Sequence, residues 1–375
     1  MRERLLGGLS PRTFLRRHWQ KRPLLVRGAL PGFRGPHRER GLAALAARDD
    51  VESRLVERRR GCWTVTHGPI APARLRRAGP IDWTLLVSGV NLYSEAADRL
   101  LRRFDFLPQA RLDDVMVSYA VPGGGVGPHA DSYDVFLLQG PGRRVWRLAP
   151  PREYALVESA PLRLIADFAA REEILAEPGD LLYLPPGWAH DGVALDRCFT
   201  YSIGFRAPGG AELGAAFLDW LHERGLPERA YRDPGLRPTV RGARIPARML
   251  EHAASALARL RWSRTDVADF LGEYLSAPKL HVSFTARRRA MARPAFARRL
   301  ARAEAVLDRK TQLLYLGRHF YLNGDALAPR PAQRAALAAL ADARRIAGRA
   351  LLRGGLLELA HEWYHDGVLH LEHAA

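Results

Sequence analysis

A chain of 375 residues is too long for one ordinary core and predicts two or three domains. Its 47% apolar content excludes a disordered chain, and two cysteines, Cys62 and Cys198, exclude both a disulfide framework and a Cys-rich zinc site. The net charge of +18, carried mostly by arginine, favours polyanionic partners such as RNA or ribosomes, although a GC-rich genome enriches arginine in any protein.

The N-terminal stretch MRERLLGGLSPRTFLRRHWQKRP is charged throughout and has no apolar core of signal-peptide type. No run is long enough to span a bilayer, so the expectation is a cytoplasmic protein with no membrane partner. Ser10 and Pro11 suit the cap and first turn of a helix carrying Phe14, Leu15, His18 and Trp19 as its apolar stripe. KRPLLVRGALPGF then reads as a short strand closed by a Pro-Gly turn. Residues 41–60 read as a charged helix, CWTVTHGPI as a strand, and DWTLLVSGV as a strand or helix start. SEAADRLLRRFDFLP carries a cap at Ser94 and reads as a helix ending near Pro108.

From Asp113 to Arg206 the pattern becomes strand, turn, strand: VMVSYAV, DVFLLQG, RRVWRL, DLLYLP and FTYSIGFR, with PGGGVGP, QGPGR, EPGD and LPPGW between them. Short apolar strands so punctuated predict an all-β sandwich or barrel, here with a helical insertion around 162–176. Helical spacing returns at 211–224, 247–262 and 265–275, with Ser263 and Thr265 as caps, and predicts a small bundle. After 278 come a basic stretch, a turn at Asn323-Gly324, helices near 332–345 and 356–365, and the closing strand VLHLEH, a pattern that suggests a winged-helix-like unit.

The chemistry is expected in the barrel. His129-Ala130-Asp131 places an imidazole and a carboxylate on one face of a strand. His190 follows a strand and a stiff Pro185-Pro186-Gly187 approach, and can supply a third ligand from a second strand. Two histidines and one carboxylate with open positions suit Fe(II) in an oxygenase, and the same residue types also suit zinc. An open-site Fe(II) oxygenase needs a 2-oxo acid, whose far carboxylate needs a cation. Arg144 alternates with Trp146 and Leu148 on one face, and Arg143 with Arg147 on the other; the alternation alone does not choose Arg144 over Arg147. Asp114, Met116, Ser118 and Ala120 share one strand face, where an acid would suit a cationic side chain. Cys198 reads as a small core residue, the scattered His361, His365, His370 and His373 as surface, and PGGGVG lacks the Gly-Lys-Ser/Thr ending of a phosphate loop.

GPHADSYDVFLLQGPGRRVWRL and EPGDLLYLPPGWAHDGVAL resemble the JmjC-type cupin oxygenases, and within them the bacterial ribosomal oxygenases that hydroxylate an arginine of a large-subunit ribosomal protein. FLRRHWQKRPLLVRGA and YSIGFRAP extend the resemblance over roughly 1–210. It implies a mixed α+β chain: a double-stranded β-helix (cupin/JmjC) oxygenase domain over 1–210, a helical dimerisation region over 211–277 giving a homodimer, and a winged-helix-like domain over 278–375. It implies Fe(II) on His129, Asp131 and His190, and 2-oxoglutarate held by Arg144. It also implies a substrate pocket in which Asp114 pairs with a guanidinium, Met116 and Tyr133 clamp its stem, and Ser202 adds a hydrogen bond; the target would be ribosomal protein sixteen. One departure stands out. Members often carry a serine directly before Val-Pro-Gly-Gly-Gly, and here that position is Ala120. The missing hydrogen bond to a charged group would be worth about 1.5–3 kcal/mol, with Ser118 or Tyr119 placed to compensate. Other readings stay open: a cupin-fold metal-binding or nucleic-acid-associated protein without hydroxylase activity, and a hydroxylase of histidine or demethylase of lysine.

Overall fold

In the computed structural model, which describes residues 5–225 and 230–373, the chain starts as its capping residues dictate. The first four residues of the charged N-terminal stretch lie outside the described residues. The Thr13 amide donates to Ser10 Oγ at 3.2 Å, Pro11 fills the first turn, and helix α1 spans Pro11–Arg17. Its Phe14 is fully buried, with ring centroids 5.6 Å from Phe136 and 5.0 Å from Tyr183. Burying such a ring stabilises by about 1.5–3 kcal/mol, so packing rather than length holds this helix.

Strand β1 (Leu24–Val26) and helix α2 (Glu39–Ala46) follow. The helix expected over 41–60 stops there, because Ser53–Arg59 is strand β2, paired on both sides by β3 (Cys62–His67) and β4 (Trp83–Val87). Its charged residues have helical propensity, and tertiary pairing overrides it: Glu57 is buried in the strand and ion-paired to Arg74 of helix α3 (Pro72–Arg77) and to Arg59. Ser94 caps helix α4, which ends at Leu101 and continues only as a 3-10 turn to Phe104, short of the expected Pro108.

The barrel strands are β5 (Leu112–Ala120), β6 (His129–Ala130), β7 (Val135–Gln139), β8 (Arg144–Ala149), β9 (Glu172–Ala176), β10 (Leu181–Leu184), β11 (Ala189–Ala194) and β12 (Cys198–Phe205). They form two sheets, one ordered β1-β10-β7-β12-β5-β4-β2-β3 and one ordered β6-β11-β8-β9. The helical insertion expected around 162–176 is absent: Ile165 bridges Leu156, and Glu172–Ala176 is claimed as an edge strand by β8. Strand β11 is the second strand expected to carry His190, although AHDGVA has too few apolar residues to announce its bounds.

The larger sheet divides its residues by alternation. Val115, Val117, Tyr119, Phe136, Tyr183, Tyr201 and Ile203 face outward and join Phe14, Leu42, Leu100 and Phe104 in the main core. The opposite faces of the two sheets meet over a smaller apolar cluster that includes Leu137, Trp146, Leu148, Ile174 and Leu182, which closes one end of the barrel. The other end stays open.

Helices α5 (Gly210–Glu223), α6 (Ala247–Leu257) and α7 (Arg264–Ser276) form as expected, except that α6 stops before 262 and that Ser263 alone caps α7, Thr265 lying within its first turn. Phe217 on α5 meets Phe270 on α7 with ring centroids 5.2 Å apart, and Trp220 Nε1 donates to Glu273 at 2.7 Å. The opposite side of α7 packs on the C-terminal region. A Cβ on Gly272 would lie 2.2 Å from the Tyr321 ring, so only glycine lets the helix approach, and the Tyr321 hydroxyl donates to Asp269 at 2.8 Å.

That region is built of α8 (Arg293–Leu300), β13 (Ala303–Leu307), β14 (Leu313–Leu316), β15 (His319–Leu322), β16 (Asp325–Leu327), α9 (Pro331–Ala343), β17 (Arg345–Ala347), α10 (Gly348–Arg353), α11 (Leu357–His365) and β18 (Leu369–His373). Asn323 and Gly324, both at positive φ, turn β15 into β16 as their sequence predicts. The short helices α8 and α10 were not expected; Phe296 and Leu300 of α8 and Leu351 of α10 join Leu340 and Trp363 in a second core. No helix among the described residues is long and apolar enough to cross a membrane.

Candidate active site

His129 ends the Gly-rich crossing from β5 and pairs, on β6, directly with His190 on β11. The imidazole centroids are 4.3 Å apart. Asp131 points between them, with Oδ1 3.9 Å from His129 Nε2 and Oδ2 3.8 Å from His190 Nε2. One ligand atom from each of the three lies within 4.8 Å of the others, and no second such group of metal-binding side chains occurs among the described residues. Main-chain carbonyls set both tautomers: His129 Nδ1 donates to Gly127 O at 2.9 Å and His190 Nδ1 to Trp188 O at 3.0 Å, which leaves both Nε2 lone pairs facing the gap. Burial, reinforced by His129, lowers the His190 pKa to about 4, so its ring is neutral near pH 7. The Gly187 amide donates to the main-chain oxygen of Asp131 at 2.8 Å, so the Pro-Pro-Gly segment also fixes the carboxylate strand. These donors suit a divalent metal, with one flank open to the cavity.

All nine residues expected at the site line one cavity of about 830 Å³: Asp114, Met116, Ser118, His129, Asp131, Tyr133, Arg144, His190 and Ser202. The choice between Arg144 and Arg147, open in the sequence, is decided by their neighbours. Arg147 faces out and pairs with Glu173 at 3.1 Å and Asp191 at 3.4 Å. Arg144 is 3% exposed and lines the cavity. Its Nη1 donates to Gly192 O at a long 3.4 Å, its Nη2 lies 3.8 Å from Cys198 Sγ, and its Nε has no partner. Among the described residues no carboxylate pairs with it, so a buried guanidinium faces the cavity with its charge uncompensated. Such a group is costly unless a ligand's carboxylate meets it.

Ala120 is fully buried and packs on Ala194 and Cys198. Tyr119 cannot replace the absent serine, since it lies on the outward face and donates to Glu39 at 2.7 Å. Ser118 lines the cavity, its hydroxyl tied only by a 3.5 Å contact to Thr200 O. Thr84 was missed by the sequence. It pairs across strands with Ala120, its side chain lines the same cavity, and its buried hydroxyl has no partner. Nothing in DWTLLVSGV marks it, because the pairing that puts it beside Ala120 is long-range.

At the open end, Asp114 is nearly buried, and its Oδ2 accepts the Gly89 amide at 2.7 Å. Burial, and then the neighbouring Asp113, raise its pKa against the pull of Lys279. Tyr133 is 39% exposed at the rim, while Met116 and Ser202 line the wall below. The glycines of PGGGVG serve contact rather than phosphate: a Cβ on Gly124 would lie 2.1 Å from Trp83 O, and one on Gly125 2.6 Å from Gly192 O. The C-terminal histidines do not converge. His361 bonds Met291 O, His365 bonds Asp366, and His370 bonds Asp308 and Arg287.

Comparison with known proteins agrees with this geometry. Residues 99–213 match the JmjC domain family and 259–370 the ROXA-like winged helix. The chain is 39% identical over 270 residues to the ribosomal protein uL16 3-hydroxylase of Escherichia coli K12, covering 70% of each chain. It is 39% identical over 205 residues to a probable ribosomal oxygenase of Haemophilus influenzae, covering 53% of this chain and 50% of that one. A solved structure of the E. coli ribosomal oxygenase YcfD, in complex with cobalt and 2-oxoglutarate, superimposes with a TM-score of 0.81 at 33% identity over 97% of this chain and 98% of that one. Barrel, bundle and winged helix thus recur together in one order, and the chain belongs to the JmjC-type ribosomal oxygenase family.

Proposed function

We propose that this protein is an Fe(II)- and 2-oxoglutarate-dependent oxygenase that hydroxylates an arginine side chain of the large-subunit ribosomal protein uL16. The observation that carries the reading is the uncompensated guanidinium of Arg144 in the same cavity as the His129, Asp131 and His190 cluster. A small dicarboxylate gripped by metal at one end and by Arg144 at the other satisfies both features. Ferrous iron with 2-oxoglutarate supplies the oxidation that places one oxygen atom of O2 in an unactivated C–H bond, with succinate and CO2 as the other products.

The protein's part is holding and excluding. His129 and His190 offer neutral Nε2 atoms and Asp131 a carboxylate, which leaves coordination positions open on the cavity side. Arg144 takes the far carboxylate, aided by the free hydroxyl of Thr84 and by Ser118. The Trp146 ring walls this end from water, with the Arg144 guanidinium 5.5 Å over its face. At the mouth, Asp114 pairs with the substrate's cation while Met116, Tyr133 and Ser202 line its stem. A carboxylate pair at the entrance, Asp113 with Asp114, favours a cation over a neutral imidazole. The exposed apolar side chains of the helical region, Leu250 at 69% and Leu257 at 68% among them, support a homodimer that covers them.

The test is incubation of the full chain with a uL16 segment, Fe(II), ascorbate and 2-oxoglutarate, with succinate and peptide mass followed together. A gain of one oxygen on arginine, lost in His129→Ala and Asp131→Ala variants that keep their fold, is expected. Hydroxylation of histidine, or no hydroxylation in the wild type, would overturn the reading.

A further inference from the structure

Among the described residues that line the cavity, Lys279 alone comes from beyond the last barrel strand, from the 277–281 segment between α7 and the C-terminal region. Its Nζ lies 3.1 Å from Asp113 Oδ1 and 3.5 Å from Asp114 Oδ2. Asp113 has a second cation, Arg206, with Nε at 3.5 Å. Asp114 has no cation besides Lys279 among the described residues. The base of the segment is fixed: the Ala277 amide donates to Glu273 O at 2.9 Å, and the Gly324 amide donates to Ser276 Oγ at 3.0 Å. Only the lysine's flexible stem, 32% exposed at the side chain, reaches into the mouth. Leu280 beside it is fully exposed, so no packing holds the tip in place.

We propose that Lys279 is an internal stand-in for the substrate's cation, which neutralises Asp114 in the resting protein, yields that seat to an entering guanidinium, and thereby sets a preference for arginine over lysine. This rests on the reading of Asp114 as the cation seat. The discrimination follows from like and unlike exchange. A substrate ammonium would replace one ammonium by another, gain nothing at the carboxylate, and lose side-chain freedom. A guanidinium brings two parallel N–H donors in a rigid fork, which a single-point ammonium cannot match. Resting occupancy also spares Asp114 from being buried without a counter-charge. Burial pulls the Lys279 pKa down, but Asp114 and Asp113 outweigh it and hold it raised, so the stand-in is charged throughout the neutral range.

The experiment compares full-length wild type, Lys279→Met and Lys279→Arg, each shown by circular dichroism to be folded. Two peptides identical except for arginine or lysine at the target position are titrated by calorimetry with Mn(II) and 2-oxoglutarate present. Wild type is expected to prefer the arginine peptide by tenfold or more. In Lys279→Met both peptides should bind more tightly, the lysine peptide at least fivefold, so that the preference narrows. In Lys279→Arg, whose internal cation is itself forked, the arginine peptide should bind about tenfold more weakly. Unchanged binding in both variants, or weaker binding of both peptides to Lys279→Met, sinks the stand-in while leaving the arginine reading intact. Binding of neither peptide to any of the three proteins overturns both.

Discussion

Replacing Arg144 by methionine should make the ligand-free protein more stable and nearly blind to 2-oxoglutarate. The guanidinium is 3% exposed, its contacts are a 3.4 Å hydrogen bond to Gly192 O and a 3.8 Å approach to Cys198 Sγ, and its Nε is unpartnered. Substituting well-packed apolar groups even for paired buried charges is often neutral or stabilising by about 1–4 kcal/mol, and an unpaired charge belongs at the favourable end of that range. Ligand binding moves the other way. Loss of one member of a buried charge pair costs about 3–5 kcal/mol, which is roughly a hundredfold to several thousandfold in the dissociation constant. Urea unfolding of the Mn(II)-loaded proteins, followed by tryptophan fluorescence, reads both effects. At 100 times its dissociation constant, 2-oxoglutarate should stabilise the wild type by about 2.7 kcal/mol and the variant by almost nothing. A variant that unfolds at lower urea than the wild type without ligand, or that keeps 2-oxoglutarate affinity within about threefold by calorimetry, would show that Arg144 is a structural group.

Thr84→Val removes a buried hydroxyl that has no partner; 2-oxoglutarate affinity should fall by about 1.5–3 kcal/mol with Mn(II) affinity unchanged, and no loss of 2-oxoglutarate affinity would exclude Thr84 from the site. For the metal-free protein, the folded pKa of His190 is depressed to about 4 against an unfolded value near 6.5, so the unfolded chain binds more protons between these limits. Stability should therefore be full above about pH 6.5 and fall by roughly 3 kcal/mol as pH drops to about 4; denaturant midpoints that stay flat across this window would contradict the buried neutral imidazole. Gly192→Ala would put a Cβ 2.4 Å from the Trp146 ring, and the resulting strain of about 1–3 kcal/mol should appear as a lowered melting temperature and, through the strand it shares with His190, as weaker metal binding.

The metal trio was legible because two of its members sit two residues apart, His129 on strand β6 and Asp131 just past its end, and the third follows a stiff turn. The alternation of Arg144, Trp146 and Leu148 was legible too. The choice between Arg144 and Arg147 was not, because it depends on Glu173 and Asp191, which reach Arg147 from neighbouring strands. Thr84 and Lys279 were invisible for a related reason. Each becomes part of the site only through a long-range neighbour, Ala120 for one and Asp113 with Asp114 for the other. The same holds for Ser53–Arg59 and Glu172–Ala176, where local composition argues for helix and an available sheet edge decides for strand. Turn and cap residues, by contrast, act on their own backbone, and Ser10, Ser94 and Asn323-Gly324 do in the structure what they promise in the sequence.

Strand β5 gives one face to chemistry and the other to folding. Asp114, Met116 and Ser118 look into the cavity, while Val115, Val117 and Tyr119 belong to the core behind it. Evolution can therefore retune what enters the mouth by exchanging every second side chain, with little penalty to the scaffold. A single inserted or deleted residue within the strand has no such freedom, because it would exchange the two roles along the rest of its length.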